Sequence, residues 1–146
     1  MIVADIENLA FADGTFDVAI SLETLEHVPH PERGLAELVR VTRPGGRIVV
    51  TTPNYFSLLG LYRCYRNWTG RPYTEVGQPI NHPLWLIDRV RALKKLGCKV
   101  DVIDGCGHYF YFPGREPARM KSLDKLRFLT RWVAVHSLTV ATKGAL

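Results

Sequence analysis

Two apolar runs of strand length, separated by a segment of helix length, constrain this chain more than any other feature. Asp17-Val-Ala-Ile-Ser-Leu22 is nearly continuous in apolar side chains, and Arg47-Ile-Val-Val-Thr-Thr52 repeats the pattern. Such runs suit strands of a parallel sheet, where no alternate residue has to face water. Between them Pro31 stands where a proline fits the first turn of a helix. Leu35, Leu38, Val39 and Thr42 follow at i, i+3, i+4 and i+7, which is one helical face. Glu32 lies early and Arg40 and Arg43 late, as the helix dipole favours, and Pro44-Gly45-Gly46 ends the pattern. A strand, a helix and a strand of these lengths predict a right-handed parallel crossover and an α/β fold.

The remainder continues in kind. Pro83 opens a second helix pattern with Leu86, Ile87, Val90 and Leu93 as its apolar stripe, Lys94 and Lys95 in the last turn, and Gly97 at the left-handed C-cap position. Lys99 to Ile103 reads as a strand. Leu123 to Val135 reads as a helix presenting Leu126, Leu129, Trp132 and Val133, and Leu138 to Thr142 as a closing antiparallel strand. Gly105-Cys106-Gly107 after a strand imitates the start of a phosphate-binding loop, but Phe110 occupies the place of its third glycine.

With 146 residues, 47% of them hydrophobic and 23% charged, the chain has the composition of one domain around one core. No apolar run reaches the roughly 20 residues of a membrane span. Asp5 and Glu7 stand where a signal peptide would be basic and then apolar, so a soluble, cytoplasmic protein is expected. Cys64, Cys98 and Cys106 lack any C-x-x-C spacing and read as free thiols. Charge is uneven: residues 1–54 hold four Lys/Arg against eight Asp/Glu, and residues 55–146 hold fifteen against six. The basic half suits an anionic partner, or balances an acidic one within the fold.

The chemistry-bearing residues gather after the first strand. If the chain turns helically there, Glu23, Glu26 and His27 stand at i, i+3 and i+4 and face one way. Two carboxylates and an imidazole suit Mg²⁺, Mn²⁺ or Zn²⁺. His27 acting as a general base without a metal, and carboxylates that are merely solvated, are the alternatives. The connection from Tyr55 to Pro79 interleaves Tyr55, Phe56, Tyr62, Tyr65, Trp68 and Tyr73 with Arg63, Arg66 and Arg71. It reads as a substrate-capping segment, residues 55–80, with an amphipathic helix from Tyr55 to Arg66 as the alternative.

The series Val3-Ala-Asp5-Ile6 through Leu9 and Phe11 to Asp13-Gly-Thr-Phe-Asp17, then Leu25-Glu26-His27 and Arg43-Pro-Gly-Gly46, resembles the second half of a class I S-adenosylmethionine-dependent methyltransferase of the type 11, ubiquinone-biosynthesis O-methyltransferase kind. The resemblance implies a Rossmann-like sheet with helices on both faces and S-adenosylmethionine as cofactor. It implies that Asp5 accepts from the adenine amino group, that the Ile6 backbone faces the ring, that Ser21 and Leu22 line the donor, and that His27 is catalytic. The E-x-x-E-H spacing is similar to that of small-RNA 2′-O-methyltransferases, which implies Glu23, Glu26, His27 and His82 as a Mg²⁺ set. The family's Gly-rich donor loop and ribose carboxylate come from earlier strands, and only four residues precede Asp5. The expectation is therefore a single partial domain over residues 1–146, lacking those strands and incomplete as an enzyme by itself. The implied reaction is O-methyl transfer to a small molecule or a terminal ribose, with a small-molecule acceptor as partner. A non-catalytic remnant, and an anionic-ligand or nucleic-acid-binding module, are the rival readings. Without a neighbour the strand at Asp17 to Leu22 becomes a sheet edge, which predicts self-association.

Overall fold

Strand β1 (Phe16–Leu22) and strand β2 (Thr42–Pro53) lie side by side in parallel, joined by a short 3₁₀ turn at Leu25–His27 and helix α1 (Pro31–Val41). The computed structural model describes residues 2–70, 80, 82–107, 109–110, 118–119 and 132–145. Helices α2 (Leu58–Trp68) and α3 (Leu86–Lys95) follow, then β3 (Cys98–Cys106), a two-strand ladder of β4 (Tyr109–Phe110) with β5 (Ala118–Arg119), and β6 (His136–Lys143). The main sheet runs β1-β2-β6-β3, with β6 antiparallel to both of its neighbours. The crossover and the antiparallel closing strand thus stand as expected, in a mixed α/β sheet. Gly105 lies inside β3 opposite Ser137, and the strand runs on to Cys106, so the first glycine of the expected loop imitation is paired in the sheet.

Helix α1 buries Leu35, Leu38, Val39 and, just past its end, Thr42, the four residues of the expected stripe. Leu35, Leu38 and Val39 pack with Leu93 of α3 on Ala19, Ile48, Val50 and Ala141 of the sheet. Gly34 allows the closest approach: a Cβ there would sit 2.8 Å from Leu25 Cδ2. Helix α1 stops at Val41 and the chain is already extended at Thr42, so β2 starts earlier than the Pro44-Gly45-Gly46 breaker suggested; the continuous pairing with β1 begins at Val18 opposite Arg47.

Two expectations are corrected. Helix α3 starts at Leu86, not Pro83: residues 82–85 lie outside any helix, Trp85 is extended, and the His82 N–H is bonded to the Glu26 carbonyl at 2.8 Å. Its buried face is Leu86, Arg89 and Leu93, while Ile87 is exposed. At the end of the expected Leu123 to Val135 helix, residues 132–135 form turns and bends, held there by Asn54, whose side-chain amide donates to the carbonyls of Trp132 (2.7 Å) and Ala134 (2.9 Å). Residues 123–131 of that helix lie outside the described residues. So do 71–79 of the capping connection, whose earlier part, Leu58–Trp68, is helical.

Among the described residues α1 and α3 pack on the same face of the sheet. On the other face the row Ile20, Val49, Val140 and Val102 runs across all four strands. Strand β1 is an edge, with Ile20 61% and Leu22 60% exposed. The irregular stretch before β1 is clasped by Arg40, which donates to the carbonyls of Leu9 and Phe11 at 2.8 Å each and to Asp13 at 2.7 Å. Lys143 Nζ covers the opened end of α1, donating to the carbonyls of Arg40 (3.3 Å) and Thr42 (2.7 Å), where a cation meets the negative end of the helix dipole.

Candidate functional site

The site is built at the carboxyl end of β1, where open parallel sheets present ligand-binding groups. Glu23 leaves the strand with φ +48°, a left-handed conformation that costs a side-chain-bearing residue roughly 1–2 kcal/mol. Its N–H is fastened to Thr51, 3.1 Å from the carbonyl and 3.2 Å from Oγ1. The reversal launches the short turn that follows. Thr24 Oγ1 donates to the Leu22 carbonyl (2.9 Å), the His27 N–H donates to the Thr24 carbonyl (3.0 Å), and Leu25 is pressed against Gly34.

This turn buries Glu26, whose side chain is 1% exposed, and leaves the neighbouring imidazole of His27 partly open. His27 Nδ1 lies 2.8 Å from the Ile80 carbonyl oxygen. A carbonyl oxygen can only accept, so in the neutral ring Nδ1 carries the hydrogen and Nε2 keeps its lone pair. Nε2 is 3.8 Å from Glu26 Oε1. The ring is thus held in one orientation, with its second nitrogen beside a buried carboxylate.

Residues from distant elements close around the turn. His136, the first residue of β6, donates from Nδ1 to Glu23 Oε2 at 2.9 Å. That bond holds its pKa above the usual histidine value against partial burial and the nearby Arg63, with the charges of Glu23 and Glu26 adding to the rise. Arg89 of α3 is 5% exposed and reaches a cage of hydroxyls. It donates to Thr139 Oγ1 at 3.1 and 2.9 Å, to Ser137 Oγ at 2.9 Å and to Thr52 Oγ1. Burial pulls its pKa down to about 10, opposed by the charges of Glu23 and Glu26. Tyr55 is buried, and burial raises its pKa while the hydrogen-bonded Arg63 works the other way.

The expected metal set is not assembled. Glu23 is engaged by His136, His27 Nδ1 faces the Ile80 carbonyl, and His82 meets Glu26 through its backbone N–H. Among the described residues no group of three or more His, Cys, Asp or Glu side chains could hold an ion. The turn is one short helical revolution, and its left-handed entry at Glu23 swings that side chain toward β6.

The expected donor residues lie around the same strand end. Asp5 is exposed and spends Oδ1 on the Glu7 N–H (2.9 Å), in a turn closed by the Asn8 N–H on the Asp5 carbonyl (3.0 Å). Ile6 packs beside Gly34, and Glu7 Oε1 accepts from the His30 N–H (2.7 Å) at the start of α1. Leu22 is exposed, whereas the Ser21 hydroxyl is buried on the helix-covered face with no hydrogen-bond partner among the described residues. These residues fit the adenine end of a nucleoside donor: an exposed carboxylate, an apolar neighbour and an open strand end.

Arg89, His136 and Arg63 were not legible as site residues in the sequence. A signal existed for Arg89, which sits three residues after Leu86 and four before Leu93, inside the apolar stripe. None existed for His136, whose place depends on β6 inserting beside β2. On α2, Gly60 and Arg63 are buried while Leu58, Leu61, Tyr62, Tyr65 and Trp68 are exposed. Tyr62, Tyr65, Arg66 and Thr69 line an opening of about 530 Å³ that shares no described lining residue with the Glu23–His27 turn. A smaller cleft of about 230 Å³ between the starts of α1 and α3 does adjoin it, through Leu25 and Arg89.

A family model described as a methyltransferase domain matches residues 1–50. The chain is 34% identical over 83 residues to tocopherol O-methyltransferase of Arabidopsis thaliana, covering 57% of this chain and 24% of that protein. It is 29% identical over 96 residues to the ubiquinone/menaquinone biosynthesis C-methyltransferase of Brucella canis, covering 63% of this chain and 36% of that one. The matched stretches are thus about a quarter and about a third of those relatives' lengths. In fold it is similar to a crystal structure of an S-adenosylmethionine-dependent methyltransferase from Methanosarcina mazei, with a TM-score of 0.65 at 16% identity over 99% of this chain and 67% of that chain.

Proposed function

We propose that this chain, matched by a methyltransferase-domain model over residues 1–50, is a class I S-adenosylmethionine-dependent methyltransferase that serves methyl transfer to an acceptor oxygen with His27 as the base. The observation that carries the reading is the Nδ1 contact of His27 with the Ile80 carbonyl, which fixes the ring and leaves Nε2 as the proton-accepting atom. S-adenosylmethionine, when bound, supplies an electrophilic sulfonium methyl group, so the chain's own work is alignment and proton removal. Asp5 would accept from the adenine amino group with Ile6 beside the ring, and the strand end at Ser21 and Leu22 would border the donor. Ser21 would do so through its backbone, since its hydroxyl is buried in the core. His27 would take the acceptor hydroxyl's proton at Nε2, and Glu26 at 3.8 Å would stabilise the imidazolium that results.

The acceptor class that suits this chemistry is a small hydroxylated molecule, with a terminal ribose as a second instance. No metal step is needed, and among the described residues Glu23, Glu26, His27 and His82 do not fit a Mg²⁺ ion.

The test is transfer of labelled methyl groups by the full-length protein to phenols, catechols and nucleosides, with His27→Gln as the variant. General-base catalysis contributes about 10²–10⁴-fold, so the variant should lose a comparable factor in kcat. A His27→Gln enzyme with unchanged rate would overturn the assignment.

A further inference from the structure

We propose that His136 is a positioning residue: by holding Glu23 in its left-handed turn out of β1, it fixes the corner that carries Glu26 and His27. The proposal rests on His27 as the base and names what sets that base in place. Glu23 is the sole residue other than glycine with positive φ among the described residues. Backbone strain of this kind persists where surrounding contacts over-determine it. Here three contacts do so: the Glu23 N–H on the Thr51 carbonyl, the same N–H on Thr51 Oγ1, and the 2.9 Å bond from His136 Nδ1 to Glu23 Oε2. Of these three, the last alone engages the side chain.

The connection from His136 to the base is short and contiguous. Glu23 precedes Thr24, whose carbonyl accepts the His27 N–H at 3.0 Å, and the Glu26 carbonyl accepts the His82 N–H at 2.8 Å. A corner that relaxed toward ordinary extended backbone would rotate the whole turn and draw His27 Nδ1 from the Ile80 carbonyl. His136 is itself well anchored. It opens β6 opposite Pro53 on one side and Cys106 on the other, and the adjoining Val135 exchanges backbone bonds with Asn54 and Gly107 at 2.7 Å each. The clamp therefore ties the end of β1 to a strand that is not its neighbour in the sheet.

The charges around the pair decide its pH behaviour. Glu23 comes from the end of β1, Glu26 from the turn and Arg63 from α2; the two carboxylates favour the imidazolium and Arg63 opposes it. Arg89 of α3 faces the same two carboxylates from within the sheet. His136 pairs most strongly when protonated, so the corner is held at low pH and loosens as pH rises through the elevated pKa of His136.

Two sets of variants and two readouts test this. In the full-length protein, His136→Ala should lower kcat/KM on the order of tenfold to a hundredfold, the scale of a misplaced catalytic group. It should also remove the alkaline fall in the pH profile that His136 imposes. His136→Asn, whose amide N–H can replace Nδ1–H, should restore most of the rate without restoring that fall. Glu23→Gly removes pair and strain together, so adding His136→Ala to it should cost nothing more. An equal cost of His136→Ala with Glu23 and with Gly at position 23, or a wild-type pH profile for His136→Ala, would overturn the proposal. Amide hydrogen exchange reads the corner without any turnover: protection at Glu23 and His27 should fall in His136→Ala. Unchanged protection there would overturn the positioning role whether or not His27 proves to be the base.

Discussion

Arg40 and Glu37 meet through two parallel bonds, Nε to Oε1 at 2.7 Å and Nη2 to Oε2 at 2.8 Å, while Nη1 and Nη2 also hold the carbonyls of Phe11 and Leu9. One guanidinium therefore fixes the segment that follows Asp5 and Ile6 to the helix after the Glu23–His27 turn. A lysine offers no planar fork to span four acceptors. Arg40→Lys should behave like Arg40→Ala, and limited proteolysis should cut both variants between residues 9 and 13 faster than the parent. Equal cleavage rates would show that this clasp is not what orders the segment.

The Arg40 bond, with help from the Leu9 N–H, holds the Glu37 carboxyl below its ordinary range despite partial burial. A depressed folded pKa contributes stability that is present above the unfolded value, near 4.5, and is lost as pH falls through the folded one. Glu37→Gln should therefore cost stability at neutral pH and converge on the parent in acid. Thermal melts at several pH values below 6 would check this, and parallel curves would contradict it.

Arg89→Met should destabilise the fold by about 3–5 kcal/mol. It removes the buried cation that offsets Glu23 and Glu26 and strands the hydroxyls of Thr52, Ser137 and Thr139. Urea unfolding gives the number. If the variant does not fold alone, Arg89→Met combined with Glu26→Gln should recover part of the loss, because the unbalanced charge goes with it.

Among the described residues strand β1 lies at the edge of the main sheet, with Ile20 and Leu22 exposed. Exposed apolar edges of this kind pair with other chains. The 146-residue chain should associate at high concentration, and Ile20→Lys should shift it toward monomer in light scattering. A parent chain that stays monomeric would show the edge to be protected.

Turnover by the full-length protein should be indifferent to chelators. Activity lost with chelator and restored by Mg²⁺ would reinstate a metal that the arrangement of Glu23, Glu26, His27 and His82 does not favour.

Local pattern was enough for the β1-α1-β2 unit, because every residue that decides it lies within one crossover: Leu35, Leu38 and Val39 meet Ile48 and Val50 as periodicity demands. Pattern misled at α3, where Pro83 resembles a helix start but the His82 N–H is bonded to the distant Glu26 carbonyl. The Glu23-Thr-Leu-Glu26-His27 cluster was visible as chemistry and not as geometry. Treating residues 23 to 27 as helical placed Glu23 beside His27, whereas its positive φ turns it toward His136, 113 positions away. Pairings over that span leave no trace in residue spacing.

The placement of β6 between β2 and β3 also governs when this sheet can exist. Thr52 and Ser137, which touch across the β2-β6 ladder, are 85 positions apart, and among the described residues β3 pairs in the main sheet with β6 alone. While a ribosome is still making residues 136–143, β1 and β2 can pair but β3 can only wait, its hydrogen-bonding groups open to other chains. Closing loops of that length carries an entropic cost before any contact repays it, and folds dominated by such contacts assemble slowly. Synthesis from the amino terminus therefore brings out the β1-β2 pair before β6, the eight-residue strand that ties it to β3.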